Sequence, residues 1–442
     1  MKPQYWIRVL GGLAVAAAVS MTSVPAYAAS DGAEQVLEWN RIFIDTLIAT
    51  NTANSSSPRL GAIVHTAMFD AYNGIERRYK PISVQNSAPR GASRRAAVIA
   101  AAYTTLRALF PLSQAAHLEA SYAASLAALT DDDGEDGGLA LERGIAWGVQ
   151  VANAVLAWRA NDGFGLTYPP FRGGTAVGQW RPTPPAFGAM SAQSLAFTLP
   201  FVLPDRFVFL PPTPRGLLTQ TYTDDFNAVK ALGRATGSTR TDDQTWLAPF
   251  WEGNASVHWN QAANQIASAN NLSMSKTVRL LALLNLAMAD TIFTTWNAKR
   301  HFGAIETVVT WRPVTSIPLA DFDGNPDTIA DPDWTPLMTT PSHPEYPSGH
   351  PSLNGAAATV LLSCFDDAQT FTLTTTIVIA GVVTDVLSRP YTSISQARSD
   401  GNNARVWGGM HYPSTVVVGN QLGDNVANYI IQNAMQPLNV DQ

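Results

Sequence analysis

Along most of this chain, apolar residues return every three to four positions, the spacing that lays them on one face of an α-helix. Val36, Trp39, Ile42, Phe43 and Leu47 share such a face, and residues 60–75 repeat the pattern after Pro58-Arg59. The alanine-rich run 92–109, then 118–129 and 139–158, bring the expected helices to five before Asn161-Asp162-Gly163 ends the last of them. Helical patterning resumes at 217–232, 242–251, 258–266 and 275–300, and again at 353–365, 394–404 and 416–431. Residues 280–288 are apolar nearly all round, the mark of a helix buried at the centre. The β-branched run 372–386 suits a strand, but its length without turn residues favours a buried helix over 373–387. No internal repeat of fixed period interrupts this series.

Between residues 163 and 213 the periodicity lapses. Prolines from Pro169 to Pro212 interleave with Tyr168, Phe171, Trp180, Phe187 and Phe197. Proline removes backbone donors and blocks helix, while the aromatic content predicts a segment that packs on the protein around a site or interface. We therefore expect a signal peptide at 1–28, an N-terminal helical bundle region at 29–270 that contains this long connection, and a C-terminal bundle region at 271–442. The signal peptide is read from Lys2 and Arg8 ahead of the apolar run 9–19, with Ala26-Tyr27-Ala28 as small residues for cleavage. It predicts a secreted or periplasmic protein.

Composition narrows the partners. The net charge of −6 falls to −8 once Lys2 and Arg8 are removed, and no basic run offsets it, which argues against a nucleic-acid partner. No membrane span is expected after signal cleavage, because Asn285 and Asp290 break the most apolar run. Cys364 is the only cysteine, and Leu361, Leu362 and Phe365 around it predict a buried thiol. The aromatic and proline-rich segment leaves room for a homo-oligomer.

The seven histidines form no His-Glu-x-x-His pattern and there is no cysteine pair, so the sequence offers no zinc site. The acidic stretch Asp321-Phe322-Asp323-Gly324-Asn325-Pro326-Asp327 reads as a turn, since Pro332 stands where a bidentate Glu would close a calcium loop. Three other clusters carry more chemistry. They are Trp296-Asn297-Ala298-Lys299 with Trp311-Arg312-Pro313, then Pro347-Ser348-Gly349-His350, then Arg405 followed six residues later by His411. A lysine and two arginines neutralise a multiply charged oxyanion, and guanidinium forks fix its oxygens. The Ser348 hydroxyl and the Gly349 amide, at a helix start, fill further acceptor sites. One imidazole is then available to bond the central atom and another to move protons. Singly, each residue has a structural reading: a helix cap, a surface charge or a core histidine.

This order of motifs resembles that of the vanadium-dependent haloperoxidases and the type 2 phosphatidic acid phosphatases, which share one site. The likeness to the secreted bacterial haloperoxidase branch extends to Arg59-Leu60-Gly61, Asp162-Gly163, Trp180-Arg181-Pro182 and Leu284 to Asp290. It implies an all-α fold of two four-helix bundles in one compact domain with long irregular loops. Carried onto this chain, it makes Lys299, Arg312, Ser348, Gly349 and Arg405 the oxyanion cradle. His411 becomes the axial ligand of vanadium, or the nucleophile if the centre is phosphorus, and His350 the general acid or base. The implied activity is oxidation of bromide or iodide by hydrogen peroxide to hypohalous acid with vanadate as cofactor. A secreted acid phosphatase acting on phosphate esters through a phosphohistidine, without cofactor, and a non-catalytic oxyanion binder are the alternatives. His343, seven residues before His350, matches the histidine of algal bromoperoxidases and bears on halide choice.

Two departures stand out. Twelve residues separate Lys299 from Arg312 where the family usually has six, and Thr415 stands four residues after His411 where the family commonly has Asp. The second leaves the orientation of the His411 imidazole to a hydroxyl or to another group.

Overall fold

The computed structural model describes residues 32–129, 138–379 and 382–438, so the signal segment 1–28 lies outside the described residues. The helices expected before the long connection form as α1 (Ala33–Ala49), α2 (Ser57–Glu76), α3 (Arg94–Leu109), α4 (Ala115–Ala127) and α5 (Gly138–Arg159). After it come α6 (Gln220–Leu232), α7 (Asp242–Phe250), α8 (Ala255–Ala269), α9 (Met274–Phe302) and the short α10 (Pro313–Ser316). The series ends with α11 (Gly349–Leu362), a hairpin of β1 (Phe371–Ile379) and β2 (Val382–Tyr391), α12 (Ile394–Trp407) and α13 (Pro413–Asn433).

Helix α9 is the axis of this arrangement. It packs against α2 on one flank and against α11 and α13 on the other, so a single core runs through both groups of helices. Its length and apolarity alone would let it cross a membrane, yet 94% of its apolar window is buried inside the protein. The two polar breaks in its sequence are satisfied there. Asn285 and Asn260 of α8 exchange amide hydrogen bonds at 2.9 and 3.1 Å. Asp290 accepts the backbone N–H groups of Phe201, Val202 and Leu203 at 2.6, 2.8 and 3.0 Å.

Through Asp290 the long connection is tied to the core. Arg59 and Arg159 add to this by meeting Asp162 at 2.8 Å each, which fixes the start of the segment against α2 and α5. Trp180 is fully buried, and the Thr310 and Trp311 N–H groups donate to Gly178 O at 2.8 and 2.9 Å. The segment therefore wraps the loops that lead to the candidate site. Where α11 meets α13, glycines set the spacing: a Cβ on Gly419 or Gly423 would run into the Ser348 or Ser352 carbonyl of α11. That close approach holds the beginning of α11 against α13.

Two expectations are corrected. Residues 373–387 form a β-hairpin rather than a helix, with Phe371 opposite Tyr391, Thr375 opposite Leu387 and a register shift after Ile377. The β-branched run has a period-two pattern that length concealed: Phe371, Leu373 and Thr375 are buried while Thr372 is exposed and Thr374 half-buried. The free edge of β1 is met by α8, where Gln265 Oε1 and Nε2 bond Thr372 N and O at 2.9 and 2.7 Å and Gln261 Oε1 accepts from Thr374 N at 3.0 Å. Cys364 is exposed, not buried, because α11 ends at Leu362 and the chain turns outward there. The acidic stretch 321–327 closes as a turn, with Asp323 accepting from Asn325 N–H and the Thr328 hydroxyl at 2.8 Å each.

Asp290 gives the first prediction. Asp290→Ala leaves two buried N–H groups and one half-buried one without acceptors and should lower unfolding free energy by about 3 kcal/mol or more, read from urea denaturation. A midpoint equal to the parent's would show that residues 201–203 are held by other contacts.

Candidate active site

Four parts of the C-terminal half deliver the cluster: the last turn of α9, the residue that opens α10, the loop 341–348 with the first residues of α11, and the last turn of α12 with the turn that follows it. Lys299 faces inward from α9 and is fully buried. Its Nζ donates to Pro344 O at 2.7 Å and to Glu345 O at 3.0 Å. The lengthened interval to Arg312 is absorbed by an excursion after α9: the chain turns at Gly303 to Ile305, leaves Ala304, Glu306 and Thr307 exposed, and returns buried at Val308. Lys299 and Arg312 thus reach the same loop.

Arg312 is the hub. Its Nε donates to His343 O at 3.0 Å and Nη1 to Met410 O at 2.8 Å. Nη1 also lies 2.9 Å from His411 Nε2, and Nη2 lies 2.8 Å from His343 Nδ1. A guanidinium only donates, so both ring nitrogens are acceptors. The 3.2 Å approach of His343 Nδ1 to Pro344 O is then not a hydrogen bond, because that nitrogen carries no proton. For His411 the consequence is a proton on Nδ1, which meets Glu345 Oε1 at 2.7 Å, and a lone pair on Nε2. That is the tautomer a metal ligand or a nucleophile requires.

Glu345 is not among the residues that the sequence pattern singles out, although it lies inside Pro341-Ser342-His343-Pro344-Glu345-Tyr346-Pro347. Besides His411, its Oε1 accepts from Tyr412 N at 3.2 Å and from the Thr415 hydroxyl at 2.5 Å. The carboxylate absent from position 415 is thereby supplied from the other side, and Thr415 serves it as a donor. A lone carboxylate between two prolines is the available signal, since a buried carboxylate needs a partner. Burial pushes the Glu345 carboxyl up to about 7, against the pull of Arg312, the Thr415 hydroxyl and Lys299.

Arg405 and Ser348 present free donors. Arg405 Nη2 rests on Met410 Sδ at 3.2 Å, but its Nε and Nη1 have no partner, and neither does the buried Ser348 Oγ. Burial lowers Arg312 to about 9 and Arg405 to about 10. Burial, then the charges of Arg312 and Arg405, hold Lys299 well below its ordinary value, with Glu345 opposing. His411 and His343 are held well below 6.5 by burial and then by these cations. Burial also lowers His350, whose Nε2 lies 2.9 Å from Asn54 Nδ2.

These groups surround a cavity of about 240 Å³ whose wall includes Trp296, His343, Gly349, His350, Arg405 and His411. Lys299, Arg312 and Ser348 stand behind that wall, within the same cluster. All eight residues singled out from sequence thus come to one place. What the place offers is an excess of buried positive charge, unused donors and an imidazole lone pair, a combination suited to a tetrahedral oxyanion.

Fold and site define a helical-bundle protein with a buried, cation-rich cavity. Residues 279–440 match the family model described as VCPO second helical-bundle domain. The chain is similar in structure to the first bacterial vanadium-dependent iodoperoxidase, with a TM-score of 0.76, 21% identity, and coverage of 92% of this chain and 98% of that one. It is also similar to an apo-type bacterial vanadium-dependent chloroperoxidase (TM-score 0.65, 19% identity, 86% and 94% covered). The holo-type structure of a bacterial vanadium-dependent chloroperoxidase gives 0.64, 19%, 86% and 91%. Comparison with curated protein sequences gives no match. Residues 279–440 thus resemble that domain model, and the chain shares the all-α fold of these solved structures.

The Glu345 contacts generate a prediction. Glu345→Ala leaves buried cations and the His411 N–H without their carboxylate and should cost about 3–5 kcal/mol, whereas Thr415→Val, which removes one hydroxyl donor, should cost about 1 kcal/mol. Denaturant midpoints rank the two, and the reverse ranking would deny Glu345 its place as the organising acid.

Proposed function

We propose that the protein is a vanadate-dependent haloperoxidase that oxidises bromide or iodide with hydrogen peroxide to hypohalous acid. The observation that carries this reading is the His411 imidazole, held by Glu345 as the Nδ1–H tautomer with its Nε2 lone pair among three buried cations. The residues fit an oxyanion of high charge. His411 would ligate vanadium; Lys299, Arg312, Arg405, Ser348 and the Gly349 N–H would hold its oxygens. Bound vanadate supplies a Lewis-acidic centre that activates peroxide for halide oxidation without a change of metal oxidation state.

The side chains have separate tasks. Arg405 brings unpartnered donors to the oxyanion, and Lys299 adds charge while anchored on the Pro344 and Glu345 carbonyls. Arg312 gives up its contact with His411 Nε2 when that nitrogen is engaged. His350 moves a proton at Nε2 on the cavity wall. His343, tilted against Trp296 with ring centroids 5.0 Å apart and facing the same cavity, would meet a halide entering it, which supports bromide or iodide.

The alternative is a phosphatase, because a nucleophilic imidazole with an orienting carboxylate also suits formation of a phosphohistidine. Assays with and without orthovanadate separate the readings. We expect peroxide-dependent bromide or iodide oxidation only after vanadate is added; vanadate-independent hydrolysis of nitrophenyl phosphate, inhibited by vanadate, would instead make it a phosphatase. Silence in both assays would leave an oxyanion binder.

Within the peroxidase reading, His411→Ala should abolish vanadate retention through gel filtration. His350→Ala should retain vanadate and lose turnover by roughly 10²–10⁴-fold. Equal retention by both variants would contradict the assignment.

A further inference from the structure

The oxyanion cluster lies within residues 279–440, but the groups that hold His350 do not. Asn54, in the turn between α1 and α2, places Nδ2 2.9 Å from His350 Nε2. An amide nitrogen only donates, and the amide cannot be reversed, because its Oδ1 accepts from the Ala255 N–H at 3.0 Å. His350 Nε2 is therefore an acceptor, and the ring proton sits on Nδ1. The backbone of Gly253 and Glu252 favours the protonated ring, against the larger effect of burial. The frame is itself pinned: Asn254 Nδ2 donates to Thr52 O at 3.0 Å and to Ser57 Oγ at 2.7 Å, locking the turn before α8 to the turn before α2.

We propose that Asn54 is a positioning residue for His350, fixing its imidazole as the Nδ1–H tautomer with the Nε2 lone pair held at the cavity wall. The inference rests on the reading of His350 as the group that moves protons. The Asn54 N–H occupies the single lone pair of Nε2 and keeps that nitrogen unprotonated, and Nε2 takes a proton from the cavity when this contact is given up. An acceptor in the same position would draw a proton onto Nε2 and leave nothing there to receive one. The N-terminal half thus contributes to the site through the tautomer of one imidazole.

Ring nitrogen shifts test this in the vanadate-free protein labelled with ¹⁵N-histidine, with His350 assigned by subtraction of the His350→Ala spectrum. The parent should show an unprotonated Nε2 and a protonated Nδ1. Asn54→Asp, which can only accept, should move the proton to Nε2 or give the imidazolium. Ala255→Pro removes the donor that orients the amide without touching Asn54. The first position of α8 accommodates proline, and Asn254 before it is already extended at φ −68° and ψ 114°. It should yield a mixture of tautomers.

In the vanadate-loaded protein both variants should lose roughly tenfold or more in kcat while KM for peroxide stays within about twofold. Parent-like His350 shifts in Asn54→Asp and Ala255→Pro would overturn the proposal. Because the spectra need neither vanadate nor halide, that failure is distinguishable from failure of the peroxidase reading, which the halide and phosphate assays decide.

Discussion

The structure depends on keeping three cations dry around one buried carboxylate. Lys299, Arg312 and Arg405 cannot all be neutralised by Glu345, and each loses hydration worth several kcal/mol on burial. Backbone carbonyls make up part of the loss: Pro344 and Glu345 for Lys299, His343 and Met410 for Arg312. Arg405 receives least and keeps free donors. Burial holds the arginines below and Glu345 above their usual values, and repulsion from Arg405 adds to the lowering of Arg312. A bound polyanion would offset that excess of positive charge and so stabilise the folded protein.

Such a site needs rigid supports. The carbonyls that solvate Lys299 and Arg312 lie on the loop before α11, and that loop is braced from several directions. Glu345 N donates to Thr310 O at 2.9 Å, Ser348 N to Thr415 O at 3.3 Å, and the glycines of α13 lie against the Ser348 and Ser352 carbonyls. Thr310 in turn holds the long connection through the Trp180 N–H at 3.0 Å. Shortage of regular structure in residues 163–213 is thus compatible with a fixed geometry, because its backbone groups end on α9, on Thr310 and on the loop beside the site.

The helices and the charged cluster were legible in the sequence because both are local signals. A period of 3.6 marks α9 without knowledge of its neighbours, and Pro347 to His350 or Arg405 to His411 are recognisable as short strings. Glu345 was hidden by the opposite circumstance. Its partners His411 and Thr415 are far along the chain, and the string itself shows a carboxylate with no visible reason to be buried. Asn54 is further still from His350, and asparagine in a turn has an ordinary local explanation. The hairpin is not legible because a β-branched run suits either period, and the exposure of Cys364 is not because apolar neighbours on a helix end do not determine which side faces water.

The glutamine contacts along β1 have a bearing on how the chain behaves in company. A two-stranded sheet at a protein surface offers unpaired main-chain groups on each outer side, and these are the usual template for strand addition by another molecule. Here one side is occupied by side chains that imitate a neighbouring strand: Gln265 takes both main-chain groups of Thr372, and Gln261 takes the Thr374 N–H. Helix α8 thereby caps the sheet along that border, and recruitment of a third strand there is blocked by amides belonging to the protein's own core helix.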